Sequence, residues 1–122
     1  MRVLGLVSAG FPTDEEEEVL DTLSLDEYLI DNKEATFILT VKGDSMIDAG
    51  IREGDMVLAE RGDNPKIGQI VIAEVDGAWT MKYLRAKNGE KYLEAANPKY
   101  PDIYPSDELK ISAVVKAVIR KY

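Results

Sequence analysis

The sequence predicts a mainly β protein, a small coiled, partly open barrel-like sheet of short strands with one short helix. Three observations carry this reading. From Ala35 onward, short apolar runs are separated by turn signals. Two dipeptides that favour tight hairpin turns, Asp76-Gly77 and Asn88-Gly89, sit between such runs. Only one stretch, beginning at Ser24, carries a helix-start signature.

At 122 residues the chain makes one domain overall, with enough length for a real core. Residues 1–7 read as a short apolar strand closed by Ser8-Ala9-Gly10. Phe11-Pro12-Thr13 and the acidic run Asp14-Glu15-Glu16-Glu17-Glu18 read as an exposed connection, because Pro12 disfavours both helix and central strand. Ser24-Leu25-Asp26-Glu27 is a capping box, with Ser24 at N-cap and Glu27 at N3, opening one or two turns that end at Asp31-Asn32-Lys33. Ala35 to Lys42 alternates, with Phe37, Leu39 and Val41 on one face. Asp55 to Glu60 follows the Glu53-Gly54 turn, and Arg61 to Pro65 is a loop. Gln69 to Val75 is strongly apolar, and Asp76-Gly77 joins it to Ala78 to Leu84 as a hairpin. Lys91 to Ala95 follows the Asn88-Gly89 turn; Asn97 to Pro105, with three prolines, is irregular; Ile111 to Ile119 closes the chain as an apolar strand.

Composition removes several functions. Hydrophobic residues are 45% and charged residues 31%, as in ordinary soluble globular proteins. No apolar run approaches the ~20 residues of a membrane helix, so no membrane partner is expected. Met1 to Gly10 has one basic residue, a short apolar stretch and a small-residue end, but is too short and glycine-interrupted for a signal peptide. The net charge of −8 argues against nucleic-acid binding by this piece alone, since phosphate contacts need a basic surface. A DNA-related role would come from a missing domain or a partner. With no cysteine, a disulfide framework and a thiolate metal site are excluded, and no metal or other cofactor is expected.

The chain also has no histidine, which removes a Ser-His-Asp triad, while the absent cysteine removes a thiol nucleophile. A serine nucleophile would have to use a lysine as general base. The candidate serine is Ser45 in Gly43-Asp44-Ser45-Met46, where the run Phe37 to Val41 breaks at a glycine. From the residues alone, Ser45 reads equally as a nucleophile held open by a turn and as a turn serine bonded to its own backbone. A lysine base must be neutral, so its pKa must fall far below the ordinary value of about 10.4, which burial without a carboxylate partner achieves. Two of the ten lysines lie inside apolar strand-like runs, Lys82 and Lys116. Lys42 alternates away from the Phe37 face, toward solvent. Lys82 has a small edge, because Ala78 and Thr80 on its face would let a serine approach. For either lysine the ordinary alternative is a packed stem with its ammonium reaching water.

These residues resemble the LexA repressor and UmuD family of self-cleaving Ser-Lys proteases, over essentially the whole chain. Gly43 to Ile51 with Glu53-Gly54-Asp55 resembles the nucleophile segment; Gly68 to Ala73, Asp76-Gly77 and Thr80-Met81-Lys82 resemble the segment ending in the lysine base. Ser8-Ala9-Gly10-Phe11-Pro12 resembles the self-cleavage site. The resemblance implies Ser45 as nucleophile, Lys82 rather than Lys116 as base, backbone N–H groups at Asp44 and Ser45 for the oxyanion, and cleavage of Ala9–Gly10. It implies a fold like that of LexA and signal peptidase, a cytoplasmic location, promotion of cleavage by a RecA filament, and a homodimer formed through the C-terminal strand, with Ile111 to Ile119 as an apolar edge. It divides the chain into a cleavage-site arm over 1–13, an acidic connection and short helix over 14–34, and a catalytic and dimerisation core over 35–122.

LexA-type repressors carry an N-terminal helix-turn-helix domain and UmuD a longer arm, whereas nine residues precede Gly10 here. The phrase Ser24 to Ile30 and the Arg2-Val3-Leu4-Gly5 approach to the bond favour the catalytic domain of a LexA-like repressor, binding DNA only through a missing N-terminal domain. A UmuD-like subunit of an error-prone polymerase is the alternative. A signal-peptidase-like enzyme and a non-catalytic dimerisation module are further alternatives. The missing membrane anchor and the Ala-Gly bond in cis count against the former, the presence of both Ser45 and Lys82 against the latter.

Overall fold

The structure, a computed structural model, describes residues 1–12, 21–62, 64–105 and 109–122. It separates into two compact units, Met1–Asp31 and Asn32–Tyr122. The acidic run expected over 14–18 lies outside the described residues.

In the first unit, β1 (Arg2–Val3) pairs antiparallel with β2 (Asp21–Thr22), Arg2 opposite Thr22. The strand expected over 1–7 is therefore only two residues long and stops before Gly5, a poor strand residue. Its partner Asp21–Thr22 has no apolar alternation to announce it. Helix α1 (Leu25–Leu29) follows an extended Ser24 at N-cap, where the capping box places it. The Ser24 side chain makes no capping hydrogen bond, however, and α1 buries no residue. On so exposed a turn, solvent can satisfy the same N–H groups.

The second unit holds one six-stranded antiparallel sheet, ordered β3 (Thr36–Thr40), β4 (Met56–Glu60), β8 (Lys110–Ile119), β5 (Ile70–Val75), β6 (Ala78–Lys87), β7 (Glu90–Glu94). The mainly β class is as expected, and the sheet is open, with β3 and β7 at its ends. Both hairpin dipeptides do what their residues suggest. Asp76 and Gly77 have φ of 49° and 80°, Asn88 and Gly89 53° and 80°. Two consecutive left-handed residues make the turn whose twist suits a two-residue hairpin.

The last strand corrects an expectation. Rather than a free edge, β8 is interior to the sheet: Lys110–Val114 pairs with β5 and Val114–Ile119 with β4. A continuous apolar run marks a strand covered on both faces, but it does not say which strands lie beside it. Val114 is paired on both sides, whereas Lys110–Ala113, beside β5 alone, and Val115–Ile119, beside β4 alone, each keep one edge without a paired strand among the described residues.

Three buried groups form the core. Val71, Ala73, Leu84, Leu93 and Val114 join β5 to β8; Met46, Ile51, Val57 and Ala96 lie under the turn after β3; Ala59, Ile72 and Ala113 link β4, β5 and β8. Four steps of the sheet order separate β3 from β6, which in a flat sheet with strands about 4.8 Å apart would be roughly 19 Å. Yet Phe37 of β3 and Trp79 of β6 have ring centroids 6.0 Å apart. The sheet curls, bringing the end of β3 over β6. Among the described residues, no helix is long and apolar enough to cross a membrane.

Candidate active site

The turn after β3 carries Ser45. Gly43 adopts φ of 86°, open to glycine at no steric cost, and its N–H donates to Glu53 Oε1 at 3.0 Å. Met46, 2% exposed, anchors the turn in the core, and Ile47–Ala49 makes one 3₁₀ turn that ends at Gly50 with φ of 78°. Neither the Asp44 nor the Ser45 backbone N–H donates to a backbone carbonyl among the described residues. The next corner is tied down separately. The Arg120 guanidinium grips Asp55 through Nε and Nη2, at 2.8 and 2.7 Å, and also reaches the Gly50 carbonyl at 2.8 Å. That fork, with the Arg52 N–H, holds the Asp55 carboxyl at about 2.

Lys82 reaches the same turn from β6. Its strand neighbour across β5 is the fully buried Val71, and Leu84, on the same face, is also fully buried. This places the lysine against the core; it is 7% exposed. Lys82 Nζ lies 2.9 Å from Ser45 Oγ and 2.7 Å from Thr80 Oγ1. No carboxylate pairs with it among the described residues, so burial pushes its pKa below the ordinary 10.5. An N–H donated to Thr80 leaves the lone pair of a neutral amine free to face the Ser45 hydroxyl. A cleft of about 280 Å³ runs between Leu39–Gly43 and Trp79–Lys82, with Ser45 and Lys82 in its wall.

The other sequence candidates fall elsewhere. Lys116 pairs with Glu60 at 3.4 Å, its side chain 39% exposed, and takes no part in the cleft. Lys42 is exposed, as its alternation predicts, though it lines the cleft mouth. Ala9 and Gly10 are exposed residues of the first unit, outside helix and strand, and the Gly10 N–H donates to Ser8 Oγ at 3.2 Å. Among the described residues, no group of three or more carboxylates could hold a metal ion.

The sequence reading placed Thr80 beside Lys82 without its hydrogen bond, and it missed two further residues. Thr80 was legible only as a residue two before Lys82 and hence on its face. Asn97 and Tyr100 meet Asp44 from 53 and 56 residues away, and no local pattern signals that.

Comparison with known proteins identifies the family. The Peptidase S24-like family matches residues 2–116. A LexA repressor of Verrucomicrobium spinosum is 39% identical over 122 residues, covering 98% of this chain and 60% of that protein. Protein SamA of Salmonella typhimurium is 41% identical over 113 residues, covering 93% of this chain and 79% of that protein. On these matches the chain belongs to the Peptidase S24-like family of serine peptidases.

Proposed function

We propose that this chain is a self-cleaving Ser-Lys protease of the SOS response, the catalytic part of a LexA-like repressor, and that it cuts its own Ala9–Gly10 bond. The observation that carries the reading is the 2.9 Å approach of an unpaired, buried Lys82 amine to the Ser45 hydroxyl. Neutral Lys82 takes the Ser45 proton as the oxygen attacks the Ala9 carbonyl. The N–H groups of Asp44 and Ser45 receive the oxyanion, a contribution typically of about 3 kcal/mol per donor. As the Ala9–Gly10 bond breaks, the lysine passes its proton to the Gly10 nitrogen, leaving Ala9 as an ester on Ser45. Lys82 then activates a water that frees Ala9 as a carboxylic acid and restores Ser45. Thr80 holds the amine in line throughout. Tethering of the substrate supplies the effective concentration, so small residues at the bond suffice.

In this reading a RecA filament favours the state in which the arm occupies the cleft. The open edge of Val115–Ile119 supports a homodimer, and DNA is bound only by a domain preceding this one. The match to SamA, of which the chain covers more than it does of the repressor, favours a second reading: a UmuD-like polymerase subunit activated by the same cut. Intact mass after incubation at pH ~7 and ~10 tests the shared chemistry. Loss of residues 1–9 from the parent chain, and not from Ser45→Ala, is the expected result. A chain that stays whole at both pH values with RecA filament added is a dimerisation module instead.

A further inference from the structure

The loop from Ala96 to Tyr100 braces the turn that carries Ser45, most heavily at Asp44. The carbonyl of Asp44 accepts a hydrogen bond from Asn97 Nδ2 at 3.0 Å and another from the Ile47 N–H at 3.2 Å. The carboxylate of Asp44 accepts from the Tyr100 hydroxyl at 2.5 Å and from Lys99 Nζ at 3.4 Å. The Asn97 amide is itself fixed, since its Oδ1 accepts the Lys99 N–H at 3.0 Å; a flipped amide would lose both bonds. Beyond the serine, the Asp48 N–H donates to the Ala96 carbonyl at 2.8 Å. Ala96 to Tyr100 therefore holds the chain on both sides of Ser45 while leaving the serine hydroxyl to Lys82.

We propose that Asn97 and Tyr100 are positioning residues for the oxyanion donors: Asn97 aims the Ser45 N–H by holding the Asp44 carbonyl, and Tyr100 holds the Asp44 side chain. The assignment rests on the Ser-Lys reading above. Its physical basis is that a peptide unit is planar and trans, so the carbonyl of Asp44 and the N–H of Ser45 are two ends of one rigid plate. Fixing the first fixes the second. Two donors on the carbonyl also polarise the plate and make the Ser45 N–H a stronger donor. The Asp44 carboxylate is a negative charge beside a developing oxyanion, and Tyr100 and Lys99 engage it. Tyr100, ahead of Lys99, holds that carboxyl below its usual range, and Asp44 in turn pushes the Tyr100 phenol up.

The test follows self-cleavage of the full chain from pH ~6 to ~11, as a plateau rate and an apparent pKa, in the parent, Asn97→Ala and Tyr100→Phe. Asn97→Ala is expected to lower the plateau about tenfold to a hundredfold, and Tyr100→Phe about threefold to tenfold, with the apparent pKa unmoved. The Ser45 amide signal in ¹H–¹⁵N spectra is expected to shift in both variants, while that of Val71 stays. Should Asn97→Ala fail to fold, Tyr100→Phe, which keeps the ring, decides by the same two readouts. Variants that cleave like the parent with an unmoved Ser45 amide overturn the positioning role and leave the Ser-Lys reading standing. A fall in rate accompanied by a moved pKa also overturns it, because the loop would then act through Lys82. A parent that cleaves without Ser45, or not at all, sinks the underlying reading and this one with it.

Discussion

Replacing Lys82 by methionine should stabilise the protein at neutral pH, and the gain should vanish as pH rises. The comparison is made in Ser45→Ala, so that no chain is lost to cleavage. Burial lowers the folded-state pKa of Lys82 below the ordinary 10.5. Between those two values the unfolded chain holds one more proton than the folded one, so stability rises with pH across that window. Below the window both states are charged and the folded state bears the whole penalty, about 1.4 kcal/mol for each unit of lowering. Methionine is apolar and of similar length, and it removes the penalty. The Thr80 hydroxyl left behind borders the cleft and can find water, so its loss of Nζ returns little of the gain. Urea denaturation at a series of pH values measures the difference between the two chains. It should be largest near neutrality and decline by at most about 1.4 kcal/mol per pH unit until it flattens near 10.5. A pH-independent difference would refute the reasoning. So would a methionine variant that is less stable at neutral pH and recovers at high pH, since Lys82 would then be a charged, satisfied ammonium.

Other substitutions probe the rest of the structure. Lys116→Ala removes an exposed ion pair and should change stability by less than about 1 kcal/mol while leaving the self-cleavage rate unaltered, as read by intact mass. Leu84→Ala empties a fully buried position between Val71 and Leu93 and should cost about 2–5 kcal/mol in urea denaturation. Asp55→Asn should flatten the acid limb of stability. The Asp55 carboxylate stabilises the fold above its unfolded value of 3.8, and this contribution fades as pH falls toward about 2.

The parts of this fold that are local in sequence were legible, and the parts that depend on distant partners were not. Asp76-Gly77 and Asn88-Gly89 announce their hairpins because two left-handed residues in succession demand those residue types. The alternation of Phe37, Leu39 and Val41 gives a face, since side chains alternate across a strand. Lys82 could be narrowed to one of two lysines by its apolar run; only the pairing of β6 with β5 shows it opposite Val71 and against the core. Lys116 sits in an equally apolar run, yet β8 turns it outward to Glu60. The resemblance implied an edge at the C-terminal strand, and the sequence could not show that it lies between β4 and β5, because periodicity reports faces and not neighbours. Asn97, Tyr100 and Arg120 sit in stretches with no chemical signature, and their roles arise from tertiary contacts alone.

The pH dependence of self-cleavage tests the central claim most directly. The rate is measured by intact mass from pH ~6 to ~11 and set beside the Lys82 pKa obtained from the methionine comparison. If Lys82 is the general base for Ser45, the logarithm of the rate rises by about one per pH unit and levels off at that same pKa. A rate that is flat across the range, that levels off at a different value, or that persists in Lys82→Ala contradicts the assignment.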